Sequence, residues 1–463
     1  MSFASLEFII FFIVVFSVTL VLQRFKTKIY KEIFLLLASY FFYAYWDWRF
    51  AFLLLFVTVC AYISAMFIHN KVLVVLGIVV PLVVLGFFKY FNFFLSSFSL
   101  IIGGNLGILN IILPVGISFY TFQALSYVID VKRGKIPAEK SFVRLALYIS
   151  FFPQLVAGPI VKASEFLPQL DEDRKITLKN VEYGVQLMAF GLLKKLVIAD
   201  HLSVFVDDVF NMPNAFHWSS ILLAVISYSI QIYFDFSGYS DIAIGCAKCF
   251  GYDFCPNFNV PYLSENITVF WRRWHISLST WLKEYLYIPL GGNRKGKIRQ
   301  YINLFLTMLL GGLWHGANWT FVVWGAMHGL ALCVDKLIPK KIYEKPLVRW
   351  ASTIGTFMFV SFLWIFFRAN DFTNAWQVIY GIFTLQDGIV QPFFWSFVAI
   401  AVVVLASAIV IYKSYKSPDH EIKGFYPIFR LDTIKGLTIL FIAIGLILGL
   451  AFTGEHPFVY FQF

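Results

Sequence analysis

The chain has 463 residues, of which 60% are hydrophobic and 14% charged, and its mean hydropathy is +0.76. Soluble domains have about 25% charged and about 45–50% apolar residues, so the composition excludes a disordered chain, a coiled coil and a disulfide-stapled secreted scaffold. Its 37 Lys and Arg exceed its 26 Asp and Glu, which gives a net charge of +11. We attribute this excess to positively charged cytoplasmic loops and to attraction by lipid headgroups, and expect no nucleic-acid partner.

Apolar segments recur along most of the chain. A helix of about 20 apolar residues crosses a bilayer, and the first such segment covers about residues 6–23. Several later segments are short or interrupted by Gly and Pro, which leaves the number of crossings open. The pattern predicts an all-α polytopic membrane protein, with further spans centred near residues 39, 59, 80, 122, 151, 190, 228, 310, 327, 358, 402 and 444.

Charges beside the outermost spans predict the membrane orientation, because loops rich in Lys and Arg stay in the cytoplasm. Only Glu7 carries charge at the start of the first span, which is followed by Arg24, Lys26, Lys28 and Lys31. The last span, about residues 437–452, is followed by Glu455 and by no Lys or Arg, and it is preceded by Lys423, Arg430 and Lys435. We therefore expect both termini outside, an even number of full crossings, and an extracytoplasmic tail over 453–463.

One region departs from simple hydropathy. The segment 233–241 contains Asp235 and Asp241 and interrupts a predicted span, and residues 239–301 alternate between aromatic and polar side chains. Non-helical backbone and ionised groups at membrane depth must be shielded by protein or line a wet cavity. We expect this region to line a cavity or to lie along the interface.

The cysteines predict no metal site. Cys246 and Cys249 form a Cys-x-x-Cys pair, but no second pair follows at zinc spacing. We therefore expect them to be buried small apolar residues. No carboxylate stands at ligand spacing beside His275, His315 or His328, so the histidines do not predict a metal either.

Two histidines are candidates for proton transfer. His275 lies in a segment, residues 270–281, that is predicted to be helical and has Trp at 271, 274 and 281. His315 lies in an apolar run without any charge from residue 301 to 329. An imidazole can take up and return a proton near neutral pH, as general base catalysis of acyl transfer requires. A satisfied structural histidine is the alternative for His315, and a packed interfacial helix is the alternative for the segment of His275.

These motifs resemble the membrane-bound O-acyltransferases, and among them the bacterial alginate and peptidoglycan O-acetyltransferases. The similarity is strongest over about residues 1–335, within one membrane domain expected to cover 1–463. It implies a helical bundle around a transmembrane tunnel, with interfacial or re-entrant helices, in which His315 matches the active-site histidine and His275 a second histidine motif. The matching stretches are residues 89–92, 113–121, 152–159, 233–241, 270–281, 287–296 and 309–318.

The resemblance also implies a reaction. An acetyl group would pass from a cytoplasmic donor, acetyl-CoA, across a bacterial inner membrane, with no cofactor bound permanently. Arg294 and Lys295 would attract the donor phosphates, although both equally suit a positive-inside anchor. Further candidates for binding donor or substrate are Arg273, Trp274 and Asn318. A periplasmic serine esterase-like partner would complete the acetylation of an envelope polysaccharide, peptidoglycan or one like alginate.

Three other functions stay open from the sequence. The related teichoic-acid D-alanyl transferases share the histidine pair. A second alternative is direct acylation of a lipid or a protein. A third is a polysaccharide transporter without chemistry of its own, although such a transporter would need no proton-transfer residue in an apolar span, and the inverted repeats typical of transporters are not visible.

The chain end, Phe458-Val-Tyr460-Phe-Gln-Phe463, permits two interpretations. It suits an aromatic anchor at the outer headgroups. It also resembles the Phe-x-Tyr-x-x-Phe ending of this transferase group, in which the tyrosine is thought to relay the acyl group. A phenol has a pKa of about 10, so its oxygen leaves an ester more readily than a sugar alkoxide does. We therefore consider Tyr460 a third catalytic candidate.

The predicted orientation can be tested by labelling single cysteines in a chain without its five native ones. We expect Thr27→Cys to react with a membrane-impermeant thiol reagent only from the cytoplasmic side, and Glu455→Cys only from the outer side. A cytoplasmic position 455 would rule out the extracytoplasmic tail.

Overall fold

The computed structural model describes the whole chain except residues 26, 104–106, 157, 173, 417–428, 455–457 and 460–463, and the side chains of 415 and 416. Within these described residues it contains helices and no β-strand, which confirms the all-α prediction. Two compact units alternate along the chain. The first comprises 1–190, 239–255 and 430–434, and the second comprises 191–238, 256–429 and 435–463. The single domain over 1–463 and the tunnel stay predictions.

The first unit is built from the N-terminal helices. Its helices are α1 (Leu6–Leu22), α2 (Ile29–Ala44), α3 (Trp48–Met66), α4 (Lys71–Ile102), α5 (Ile117–Lys132), α6 (Phe142–Ser150), α7 (Phe152–Leu155), α8 (Ala163–Asp171) and most of α9 (Leu178–Leu192). Arg144 on α6 donates to the buried carboxylate of Glu32 on α2 and to Asp171 at the end of α8. Cys246 and Cys249 are buried in this unit as free thiols, as the sequence predicts.

The second unit contains the remaining helices. They are α10 (Asp200–Asn211), α11 (Trp218–Cys249), which continues into the first unit, α12 (Ile267–Arg273), α13 (Ile276–Leu282), α14 (Lys297–His315), α15 (Trp319–Asp335), α16 (Pro346–Arg368), α17 (Phe372–Phe383), α18 (Phe394–Lys416) and α19 (Ile434–Leu450). Two π-helical segments, Leu193–Ala199 and Lys283–Tyr287, precede α10 and follow α13.

Several helices have the length and composition of membrane spans. Five of the described helices can cross a bilayer, and α1, α15 and α19 are shorter apolar helices. Others, such as α6, α8, α12 and α13, have nine residues or fewer and are too short to span. The expected span near residue 151 is wrong, because the chain there forms α6 and α7 with a break at Phe151. The five candidates are Trp48–Met66, Lys71–Ile102, Trp218–Cys249, Pro346–Arg368 and Phe394–Ser414.

The expected interruption at residues 233–241 is also wrong. Helix α11 runs through this segment without a break, and most of it is buried inside the protein. The carboxylate of Asp235 on this helix is ion-paired with a neighbouring side chain of the protein. The Nζ of Lys195 lies 2.6 Å from Asp235 Oδ1. An ionised group at membrane depth is thus tolerated by ion pairing within the protein rather than by a change of backbone.

Helices α14 and α15 form a hairpin that carries the matched motif at residues 309–318. They approach each other at two glycines. A Cβ added to Gly312 would lie 2.3 Å from the carbonyl oxygen of Phe321 and 2.9 Å from the Cα of Gly325. A side chain at either position would push the helices apart, since packed cores tolerate little extra volume.

The glycine contact generates a stability prediction. We expect Gly312→Ala to destabilise the protein by about 1–3 kcal/mol, because overpacking forces backbone shifts. Gly355→Ala is the matched control: Gly355 lies in α16 with no atom near its virtual Cβ, and alanine there gains about 0.5–1 kcal/mol of helix stability. Thermal unfolding of the detergent-solubilised variants measures both. Equal midpoints would contradict the close contact.

Candidate active site

His315 is the last residue of α14, where the hairpin turns. The helix ends there because Gly316 is extended, with φ −160° and ψ 151°. A Cβ on Gly316 would lie 2.1 Å from the ring of Phe321, so only glycine fits at the turn. Asn318 then starts α15 by accepting the Thr320 N–H with its side chain. The hairpin turn thus fixes the position of the imidazole.

Aromatic rings surround His315. The centroid of its ring lies 5.0 Å from that of Trp314, 5.1 Å from that of Trp324 and 5.3 Å from that of Phe367. Only 5% of His315 is exposed. These rings keep bulk water away from the imidazole, and a water-poor site strengthens the electrostatic interactions of a catalytic group.

His275 does not lie within a helix, contrary to the sequence prediction. Helix α12 ends at Arg273, α13 begins at Ile276, and His275 between them has φ 44°. The adjacent segment stabilises this break through two backbone hydrogen bonds: Ile276 N–H donates to Asn257 O, and Asn259 N–H donates to Arg273 O. A left-handed histidine is uncommon and persists only where the surroundings hold it.

Asn257 orients the ring of His275. The backbone N–H of Ser277 donates to Asn257 Oδ1, which identifies that atom as the amide oxygen. His275 Nδ1 lies 3.2 Å from the same oxygen, so Nδ1 must carry the proton that it donates. The neutral ring then has its lone pair on Nε2. Complete burial lowers the pKa of His275 to about 3, which keeps this ring neutral.

The structure brings the two histidines into one cluster. The ring of Trp314 lies between them, with centroids 6.2 Å from His275 and 5.0 Å from His315. Phe236 on α11 meets His275 edge-on at 4.7 Å. His275 and His315 therefore share one buried aromatic environment, and their catalytic roles stay a prediction.

A cavity of about 590 Å³ opens beside this cluster. Helix α13, which begins directly after His275, contributes Ile276, Ser279 and Thr280. Within the described chain, the residues that line the cavity include no Asp or Glu. Four cationic side chains line it: Arg272, Lys283, Arg294 and Lys336. A cavity with this balance of charge attracts anionic ligands.

The cavity approaches His315 through tryptophan rings. Trp271 lies in the cavity wall, and its Nε1–H donates to Nδ1 of His328 at 3.3 Å. The Trp271 ring lies 5.7 Å from that of Trp324, which in turn packs against His315. Two indole rings in sequence, Trp271 in the wall and Trp324 behind it, therefore connect the cavity with the imidazole of His315.

The predicted binding residues occupy different positions. Arg294 lines the cavity. Exposed Lys295 packs its side chain over Gly291 at the turn beside it. Arg273 donates to the Leu263 carbonyl, and Trp274 is buried between the rings of Phe270 and Phe258.

The side chain of Asn318 caps α15 and donates to the Asn370 carbonyl. These contacts support the structure around the site, and binding of donor or substrate by these residues stays a prediction. Tyr460 lies outside the described residues.

Sequence reasoning missed Trp271, Arg272, Lys283 and Asn257. Helical spacing could have indicated some of these residues. Residues 268, 271 and 272 share one face of α12, and residues 276, 279, 280 and 283 share one face of α13 and the start of the π-helical segment that follows it. Lys336, at the end of α15, and Asn257 reach the site only through tertiary packing.

Comparisons with known proteins identify the chain. It matches the model of the MBOAT, membrane-bound O-acyltransferase family, over residues 135–373. It is 42% identical over 400 residues to the probable alginate O-acetylase AlgI of Pseudomonas aeruginosa. The aligned region covers 83% of this chain and 75% of that protein. It is 39% identical over 396 residues to the peptidoglycan O-acetyltransferase of Helicobacter pylori, and the aligned region covers 78% of this chain and 75% of that protein.

A further relative is the teichoic acid D-alanyltransferase of Bacillus subtilis, 30% identical over 284 residues that cover 57% of this chain and 70% of that protein. The helical fold, the buried histidines and these similarities define a multi-pass membrane enzyme that transfers acyl groups to oxygen. The chain belongs to the membrane-bound O-acyltransferase family.

The cluster generates a prediction for catalysis. We expect His315→Ala to lower acyl transfer by about 10²–10⁴-fold, the usual loss on removing a general base, with near-normal expression in the membrane. His275→Ala should also impair transfer. His217→Ala is the control, because that imidazole contacts its sequence neighbours, capping the local turn at Ser219 and packing against Trp218. Transfer by a well-expressed His315→Ala protein would disprove the catalytic assignment.

Proposed function

We propose that this protein is an acetyltransferase of a bacterial inner membrane that modifies an envelope polysaccharide. Its donor is cytoplasmic acetyl-CoA, and a periplasmic serine esterase-like partner completes the transfer. The observation that carries the proposal is the cation-lined cavity whose tryptophan wall leads to His315. The names of the relatives, an alginate O-acetylase and a peptidoglycan O-acetyltransferase, support the acetyl group and the polysaccharide acceptor.

Acetyl-CoA fits the chemistry of this cavity. Its phosphates are anionic and suit a wall with Arg272, Lys283, Arg294 and Lys336. Arginine forks bind phosphate oxygens in pairs, and lysines add point charges. The acetyl thioester, held at the far end of a long arm, would then reach past Trp271 toward His315.

The first chemical step transfers the acetyl group to Tyr460. The imidazole of His315 accepts the proton of the phenol, and the phenol oxygen attacks the thioester carbonyl. A C–O bond forms as the C–S bond breaks, and coenzyme A leaves as a thiol with the proton from His315. His275, on the other side of Trp314, provides a second imidazole for the same site.

The second step takes place outside the membrane. The serine oxygen of the partner attacks the acetyl-tyrosine ester, and the tyrosine oxygen leaves and regains a proton. The serine ester then passes its acetyl group to a sugar hydroxyl. An extracytoplasmic chain end, as the charge distribution predicts, would present Tyr460 to such a partner.

D-alanyl transfer is the second candidate, because a teichoic acid D-alanyltransferase is among the relatives. It would use the same histidines with a different acyl group. Mass spectrometry of the modified polymer separates the two candidates, since acetyl and D-alanyl groups differ in mass. The same measurement detects direct acylation of lipid or protein, and a pure transporter would add no acyl group.

The proposed function is tested by deleting the gene and analysing the envelope glycans. We expect O-acetyl groups to disappear from one glycan and to return on complementation. Membrane vesicles with their cytoplasmic face outward, supplied with radiolabelled acetyl-CoA, should then label the protein itself when the partner is absent. Unchanged glycans in the deletion strain would contradict the proposal.

The relay is tested by Tyr460→Phe, which keeps the aromatic ring and removes the hydroxyl. We expect almost no acetylated product, because the nucleophile is lost, and no acetyl-tyrosine peptide in the vesicle experiment. Phe461→Tyr in that background is a position control and should not restore transfer. Near-normal product from Tyr460→Phe would favour the aromatic anchor instead.

A further inference from the structure

A buried group of charges, apart from the cavity, lies on α11, on the π-helical segment before α10 and on the first residue of α10. Lys195 Nζ is 2.7 Å from Asp200 Oδ1 and 2.6 Å from Asp235 Oδ1. The three residues, here named the Lys195 trio, are 5%, 4% and 1% exposed. The proposed chemistry uses none of them.

The Lys195 trio has one more carboxylate than cations. With all three groups ionised it carries a net charge of −1, which is costly to bury unless further donors point at it. One such donor is the backbone N–H of Val459, which lies 2.9 Å from Asp235 Oδ2. Asp235 thus bridges two donors, Lys195 with one oxygen and the C-terminal tail with the other.

The tail is buried where it meets the trio. Phe458 is 3% and Val459 6% exposed. The ring of Phe458 lies 5.6 Å from that of Phe236, which meets His275 edge-on at 4.7 Å. The described part of the tail is therefore one ring away from His275, and Tyr460 follows Val459 directly in the sequence.

We propose that Asp235 is a positioning residue that anchors the C-terminal tail beside His275, and that Lys195 holds its carboxylate in place. The anchor adds a positioning role to the proposed function, and it rests on that function in one respect, namely that the tail carries the acetyl group. A carboxylate suits this task because a hydrogen bond to an ionised acceptor is about twice as strong as a neutral one. Because the donor is a backbone N–H, the bond holds the chain in position regardless of which side chain residue 459 carries.

The two carboxylates of the trio provide a matched pair of variants. Asp235→Leu and Asp200→Leu each leave one lysine paired with one carboxylate, so neither creates an unpaired buried charge. Only Asp235→Leu removes the acceptor of the Val459 N–H. A purely structural ion cluster predicts similar effects of both substitutions, whereas an anchor predicts a difference confined to the tail.

Hydrogen–deuterium exchange of the C-terminal peptide tests the anchor independently of enzyme activity. It is measured on the full chain in nanodiscs. We expect Asp235→Leu to speed exchange of this peptide by about 10- to 100-fold, as loss of a charge-assisted hydrogen bond implies. Asp200→Leu should leave the exchange unchanged. Acetylated product should fall only in Asp235→Leu.

Val459→Pro removes the donor without touching the trio, and Val459→Ala is its control. We expect Val459→Pro to speed exchange of the remaining amides of the C-terminal peptide as Asp235→Leu does, with no added effect in the double variant. Unchanged tail exchange in both Asp235→Leu and Val459→Pro would overturn the anchor, as would equal effects of Asp200→Leu and Asp235→Leu. Faster tail exchange with normal product would support the anchor and contradict the tyrosine relay.

Discussion

Three pairs of buried polar side chains inside this largely apolar protein connect separate segments of the second unit, and the candidate site is built around them. Burying an unpaired polar or charged group costs several kcal/mol. His275 is accordingly oriented by Asn257, His328 accepts from Trp271, and Asp235 is paired with Lys195. Each pair joins segments distant in the sequence, so the groups suited to chemistry also hold the unit together.

The two candidate histidines lie where helices end, and this location has a physical reason. Inside a helix the backbone groups are committed to one another and side chains follow a fixed spiral. At a break, as at His275 with φ 44° or before extended Gly316, the chain can direct an imidazole into the interior. The short helices α12 and α13 are therefore part of the site rather than imperfect membrane spans.

In the proposed reaction the cavity and the histidine cluster have different tasks. Cations, exposed in the case of Arg294, line the cavity and suit a polyanionic donor. Around His315 aromatic rings predominate, which suit proton transfer away from water. Trp271 belongs to both regions, since it lines the cavity and packs against Trp324.

The sequence by itself determined the fold class and the membrane character, because hydrophobic periodicity and length are local properties of each segment. It also singled out His315 and His275, which the structure places in one cluster. It could not determine the faces of short helices. The motif made Arg273 and Trp274 candidates for binding, but the cavity is lined by their neighbours Arg272 and Trp271. One residue rotates a helical side chain by about 100°, and only the packing of α12 decided which side faces the cavity. The contact of Asn257 with His275, the ion pair of Lys195 with Asp235 and the place of Lys336 in the cavity wall likewise depended on tertiary structure, because each joins separate segments and no local pattern specifies it.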